Sequence, residues 1–223
     1  MLKSSHLFFM IRTMNGSAVN YHEKTRMNDI QTMPRVKSAL KQAGVTTTEF
    51  NSRTIELSEL TGLAIARLSS LDSAPGLSSQ TGQCTGTDPV LLCLRPKEWL
   101  LISASMQPDQ LLSHAEPMLK PEVSAISDHS HGMAVFRLQG KGAPWLLSKL
   151  SGLDYLSSQS AKAHCAQTLM GHIGVLVAYH QVDEGSFVFD LVLDRSFARF
   201  FWELLVESSA HADELAEDYG GAA

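Results

Sequence analysis

Apolar residues along this chain recur with two periods. Strand-like runs occupy Thr54 to Leu57, Leu63 to Leu68, Val90 to Leu94 and Trp99 to Ile102 in the first half. Others follow at Val123 to Ser127, Met133 to Gln139, Ala166 to Met170, Ile173 to Tyr179 and Phe187 to Leu193. Between Leu94 and Trp99 the polar turn Arg95-Pro96-Lys97-Glu98, with Pro pre-setting the backbone angle, predicts a hairpin. Helical spacing appears in four places. Pro34 opens a segment whose Val36, Leu40 and Ala43 share a face and whose Gly44 supplies a left-handed stop. Pro108 starts a second, carrying Leu111, Leu112, Ala115, Met118 and Leu119; a third runs from Pro144 to Leu150 and stops at Gly152. The last has Phe197, Phe200, Phe201, Leu204 and Leu205 at i, i+3, i+4, i+7 and i+8, with Asp194 or Ser196 as its cap.

Strands outnumber helices and the two alternate without a strict β-α-β rhythm. The pattern therefore predicts an α+β fold with mostly antiparallel sheets and helices packed on one face, rather than a doubly wound parallel sheet. Two subdomains are expected, 34–120 and 121–209, meeting near Pro121. A polar, methionine-rich extension covers 1–33 and an acidic tail 210–223. Residues 69–89, crowded with Ser, Thr, Gly and Pro, read as a mobile loop.

With 44% hydrophobic and 18% charged residues in 223, the composition is that of a globular protein. No apolar run approaches the roughly 18 residues of a membrane span, and Met1 to Arg12 lacks the pattern of a secretory signal, so a cytoplasmic protein without membrane contact is expected. Three cysteines, Cys84, Cys93 and Cys165, are odd in number and never spaced C-x-x-C, which suits reduced thiols rather than a disulfide framework or a zinc knuckle. Residues 1–44 carry seven basic against two acidic side chains, and the remainder is strongly acidic. The basic residues are scattered and, apart from Tyr21, not interleaved with stacking aromatics, which argues against nucleic-acid binding.

Asp128-His129-Ser130-His131 is the densest polar cluster. On a strand Asp128 and Ser130 would share one side and the two histidines the other, whereas a hydrolytic triad needs the base between acid and nucleophile. Two histidines fall short of a tetrahedral metal set. Asp128 and Ser130 are therefore read as a turn that ties down backbone N–H groups. Gly140-x-Gly142 lacks the third glycine of a dinucleotide fingerprint and reads as a turn into the following helix. His164 and Cys165 are adjacent on a strand and face apart, so they make no thiolate pair. Trp99, Trp145 and Trp202 are apolar anchors of core or interface. No residue is assigned a catalytic, cofactor-binding or metal-ligating role. If Phe200, Phe201 and Leu204 face the core, helical geometry turns Trp202 and Arg195 to another flank. Trp202 with Arg195 or Arg199 is then expected on a partner surface.

The stretch PVLLCLRPKEWLLI, Pro89 to Ile102, resembles the LGP-DEWLL segment of sarcosine oxidase gamma subunits. Asp128-x-Ser130 before a strand, Leu138-x-Gly140, Leu146-Leu147 and Leu153-Asp154 parallel that family's later progression. Val192, Arg195, Ser196, Phe197, Ala198, Trp202 and Leu205 match its closing V-x-R-S-F-A…W-x-x-L. The resemblance covers roughly Glu49 to Ser209. It implies a non-catalytic gamma subunit of a heterotetramer with larger alpha and beta subunits and a small delta subunit. That complex oxidatively demethylates sarcosine to glycine, forms hydrogen peroxide and passes the one-carbon unit to tetrahydrofolate; flavins and NAD sit on the larger subunits. The chain departs from the pattern in Arg95-Pro96-Lys97, in the 69–89 insertion and in its basic N-terminal arm. Asp128 to Asp154 is also similar to the D-x-S-H…G-x-A…D stretch of glycine-cleavage aminomethyltransferases. That likeness implies a folate-binding type of fold and the alternative of a stand-alone folate-binding or aminomethyltransferase-like protein.

Overall fold

Strands that are apolar on both faces need cover on both faces, and this chain provides it by setting two antiparallel sheets against each other. The computed structural model describes residues 36–72, 74, 76–120, 123–155, 164–183 and 186–219. One sheet contains β1 (Glu49–Asn51), β2 (Glu56–Leu60), β8 (Met133–Gln139), β11 (Ser186–Asp194), β10 (Ile173–Asp183) and β9 (His164–Met170), in that spatial order. The other has β4 (Cys84–Thr85), β5 (Val90–Arg95), β6 (Glu98–Ser103), β3 (Ala64–Ser70) and β7 (Ser124–Asp128). Every ladder is antiparallel. The protein is α+β. The sheets exchange strands across Pro121: β1 and β2 come from the first half and lie beside β8, while β7 comes after Pro121 and lies beside β3.

Alternation along each strand sorts the side chains into three apolar layers. Ile65, Leu92 and Leu100 of the five-stranded sheet meet Val135, Leu176 and Val192 of the six-stranded sheet in the layer between them. On the outer face of the larger sheet, Phe136, Val177, Phe189 and Leu191 pack against helices α1 (Ala39–Gln42), α3 (Ala143–Leu150) and α4 (Ala198–Tyr219). On the outer face of the smaller sheet, Ala66, Leu68, Trp99 and Leu101 pack against Leu111 and Ala115 of α2 (Pro108–Ala115). Each fully buried large side chain contributes about 1.5–3 kcal/mol.

The two sheets also join at one edge. Gln83 and His164 form an antiparallel bridge, the amide of Cys165 donates to Gly82 O at 2.7 Å, and the amide of Gly82 donates to Cys93 O at 2.8 Å. Gly82 adopts φ +87°, and a Cβ there would stand 3.0 Å from Cys165 O. The close approach of the two edges thus needs glycine at this point.

Three expectations change. The segment expected as a loop over 69–89 begins inside β3 and contains β4. Ala74 and Leu77 join the α2-side core, and the Trp99 indole donates to Ser78 O at 2.6 Å. Its composition offers little apolar area, but backbone hydrogen bonds and one indole hold it. The tail expected from residue 210 is helix as far as Tyr219, because Ala, Glu, Leu and Asp dominate there and most of these are helix formers. The helix expected from Pro34 is described only over Ala39–Gln42, capped by the Ser38 hydroxyl and by Glu59, whose carboxylate accepts from the amides of Ala39 and Leu40. The short edge strand β1 has too few apolar positions to show a period. The expected extension 1–33 lies outside the described residues.

Trp99 is 1% exposed and joins the α2-side core to the 69–89 segment. Trp99→Ala is expected to cost about 3–5 kcal/mol in chemical denaturation. Unchanged stability would remove the indole from its place as the anchor of that layer.

Candidate functional site

The turn after β7 uses its polar side chains to position backbone. Asp128 Oδ1 accepts from the amide of Ser130 at 2.8 Å, and Ser130, 1% exposed, accepts from the amide of Ile65 at 2.9 Å through Oγ. The amide of His129 donates to Ile65 O at 2.8 Å. The start of β3 is thereby fastened to the end of β7 by an acid and a hydroxyl that have no other role in view. The His129 ring meets Ser127 Oγ at 3.1 Å, and His131 is exposed. Gly140 carries φ +111°, and a Cβ there would stand 2.3 Å from Thr54 O, so the chain can cross Thr54 on its way into α3 only with glycine.

The closing helix corrects the expectation for Trp202. Ala198, Phe201, Trp202, Leu205 and Ser209 face inward; Trp202 is 4% exposed, with its ring centroid 5.7 Å from that of Phe136. Phe197 and Phe200, expected on the core stripe, are 48% and 54% exposed. Two apolar stripes about 100° apart run along α4, and spacing alone does not choose between them. Packing does: the sheet presents Phe136, which accepts the larger indole. Phe200 and Leu204 lie over the β9–β10 turn, where a Cβ on Gly171 would come within 2.7 Å of Leu204 Cδ2 and 3.6 Å of Phe200 Cε1.

Arg195 and Arg199, both expected on a partner surface, have separate partners within the chain. Arg195 donates to Lys37 O and, at 2.7 Å, to Gln42 Oε1, so it fastens the segment around α1 to the start of α4. Arg199 pairs with Glu203 at 2.9 Å, one turn along the same helix. Asp194 caps the entry to α4 by accepting from the Ser196 hydroxyl and amide, and these bonds hold its carboxyl below the usual range. Asp190 makes a bidentate pair with Arg137 at 2.8 and 2.9 Å, and this raises the Arg137 guanidinium further.

The spacing of the cysteines carries no sign that they converge. Cys84 of β4 and Cys165 of β9 meet at the edge where the sheets join. The Cys84 thiol donates toward Cys165, which pushes Cys84 up and Cys165 down. Cys165 also lies 3.7 Å from Cys93 O. All three are free thiols. His164, by contrast, faces the helix side, 5.5 Å from the Tyr179 ring.

Two clefts remain. One of about 690 Å3 lies beside the β5–β6 turn and is lined by Leu71, Arg95, Lys97, Glu98 and Val123. Arg95 and Arg67 both reach Glu98 at 2.9 Å, and their hydrogen bonds lower its carboxyl pKa. The other, of about 480 Å3, opens between the sheets and is lined by Leu94, Leu100, Gln167, Leu169, Leu176 and Asp194 among others. Among the described residues no buried side-chain nitrogen or oxygen lacks a hydrogen-bond partner, and no cluster of three or more His, Cys, Asp or Glu could hold a metal ion. No helix among the described residues is long and apolar enough to cross a membrane.

No family model matches the chain, and no curated protein matches it. Solved structures do. A chain of the heterotetrameric sarcosine oxidase from Corynebacterium sp. U-96, in complex with pyrrole 2-carboxylate, superposes with TM-score 0.65 at 20% identity, over 79% of this chain and 95% of that one. The glycine cleavage system aminomethyltransferase T from Bartonella henselae superposes with TM-score 0.51 at 13% identity, over 70% of this chain and 46% of that one. The chain thus spans under half the length of that aminomethyltransferase. It shares the fold of both.

Trp202→Ala is expected to cost about 3–5 kcal/mol by denaturation, and Phe200→Ala about 0.5 kcal/mol. The reverse order would put Phe200 in the core and Trp202 on the surface.

Proposed function

We propose that this chain is a gamma-type subunit of a heterotetrameric sarcosine oxidase and that it acts by assembling with alpha, beta and delta subunits in the cytoplasm. The proportion of the structural match carries this reading. Nearly the whole of the sarcosine oxidase chain is covered by about four-fifths of this one, so the counterpart is itself a short chain, whereas more than half of the aminomethyltransferase lies outside the match. The motif order from Pro89 to Leu205 supports the same family. The chemically capable side chains are engaged in structure: Asp128 and Ser130 on backbone, Arg137 with Asp190, and Arg199 with Glu203.

On this reading the demethylation of sarcosine, with its flavins, NAD and tetrahydrofolate, belongs to the partner subunits. This chain supplies surface. Phe197, in the turn that enters α4, and Phe200 of α4, both about half exposed, and Arg199 beside them are of the residue types that anchor interfaces. Trp202 and Arg195 are excluded from that surface by the core and by the fastening of α1.

Co-expression with the alpha, beta and delta subunits, followed by affinity purification through this chain, tests the proposal. Stoichiometric retention of flavin-containing subunits is expected, with the chain alone colourless. Tight binding of tetrahydrofolate by the chain alone, without retention of those subunits, would overturn the proposal in favour of a stand-alone folate-binding protein.

A further inference from the structure

Strand β9 is an edge of the six-stranded sheet, and only part of that edge is covered. The two-residue connection Gly171-His172 joins Met170 to Ile173, and the register continues Thr168 with Val175 and Ala166 with Val177. In a two-residue hairpin the flanking pair and every second pair after it exchange both backbone bonds. The N–H and C=O groups of Cys165, Gln167 and Leu169 therefore point away from β10. Cys165 shows this directly, since its amide reaches Gly82 O at 2.7 Å. Below that contact the outward backbone N–H and C=O groups of Gln167 and Leu169 have no partner among the described residues, while the Gln167 side-chain amide donates to Leu94 O at 3.3 Å.

This stretch lacks the devices that usually blunt an edge. Ala166-Gln167-Thr168-Leu169 has no charge and no proline, and Leu169 is 65% exposed. Gln167, Thr168 and Leu169 also line the cleft of about 480 Å3 between the sheets, whose other walls are mostly apolar, with Leu94, Leu100 and Leu176, and carry Arg67 and Asp194 as their charged members. The chain already uses the upper part of the same edge for antiparallel pairing, through Gly82 and Gln83.

We propose that the β9 edge at Gln167–Leu169 is a strand-addition site. Its occupant is an extended apolar segment of a partner subunit, which continues the pairing begun by Gly82 and Gln83 and sends alternate side chains into the neighbouring cleft. Main-chain groups at a fixed spacing select an extended polypeptide, and the cleft walls select apolar side chains. The proposal rests on the assembly reading above and names its contact.

Leu169→Pro deletes one outward donor and leaves every β9–β10 bond intact, a position where proline is tolerated on an edge strand. The chain is expected to stay folded, with its melting temperature lowered by no more than a few degrees, and to bind the alpha, beta and delta subunits at least 10-fold more weakly. Hydrogen exchange on the unaltered chain gives an independent reading: the amides of Gln167 and Leu169 are expected to exchange freely in the isolated chain and to become protected on assembly. If the variant unfolds, that exchange result decides alone. Unchanged affinity of a folded variant, or no protection at these amides in the assembled complex, overturns the strand-addition site and leaves the assembly reading standing. Failure of the unaltered chain to bind the subunits overturns both. Protection of the same amides through self-association of the isolated chain assigns the edge to a second copy and also overturns the proposal.

Discussion

The apolar layer between the two sheets sets the terms for the rest of the molecule. Once Ile65, Leu92 and Leu100 are committed to meet Val135, Leu176 and Val192, the alternate residues on the same strands turn outward and are themselves apolar. Each sheet therefore needs a second cover, and the helices are placed to give it: α2 on one outer face, α1, α3 and α4 on the other. The rotation of α4 follows from this demand. Phe136 at the centre of the larger sheet takes the Trp202 ring, and Phe197 and Phe200 are left outside.

Polar residues serve the same arrangement. Ser130 and Asp128 fasten β3 to the turn after β7, Glu59 caps α1, and Arg195 holds the segment around α1 against the start of α4. The charge-bearing residues that invited a chemical reading thus spend their hydrogen-bonding capacity on backbone geometry. Among the described residues the large apolar side chains left exposed are Leu71, Leu169, Phe197 and Phe200, and Leu169 sits on the open edge of β9.

Much of this was legible in the sequence. Strands buried on both faces read as continuous apolar runs, so β3, β5, β6, β8, β10 and β11 fell close to their observed bounds, and the hairpin at Arg95–Glu98 followed from its proline turn. The α+β class followed from their order. Three kinds of feature stayed hidden. β4 is two residues long and held by its neighbours' backbone, which leaves no period to detect. The two apolar stripes of α4 differ by one residue of rotation, so the choice between Phe200 and Trp202 depended on a sheet the sequence does not display. Cys84 and Cys165 are brought together only when the edges of the sheets join, a contact across 81 residues of chain. The Asp128 to Ser130 turn was readable because its chemistry is local, whereas the open half of β9 required the register of a hairpin and the reach of Gly82.

The proposed place of this chain in a four-chain assembly is tested most directly by the mass of that assembly. Native mass spectrometry of the chain mixed with the alpha, beta and delta subunits should give a single species containing one copy of each. A mixture in which the other three subunits form a complete, active complex while this chain remains a free monomer would contradict the account.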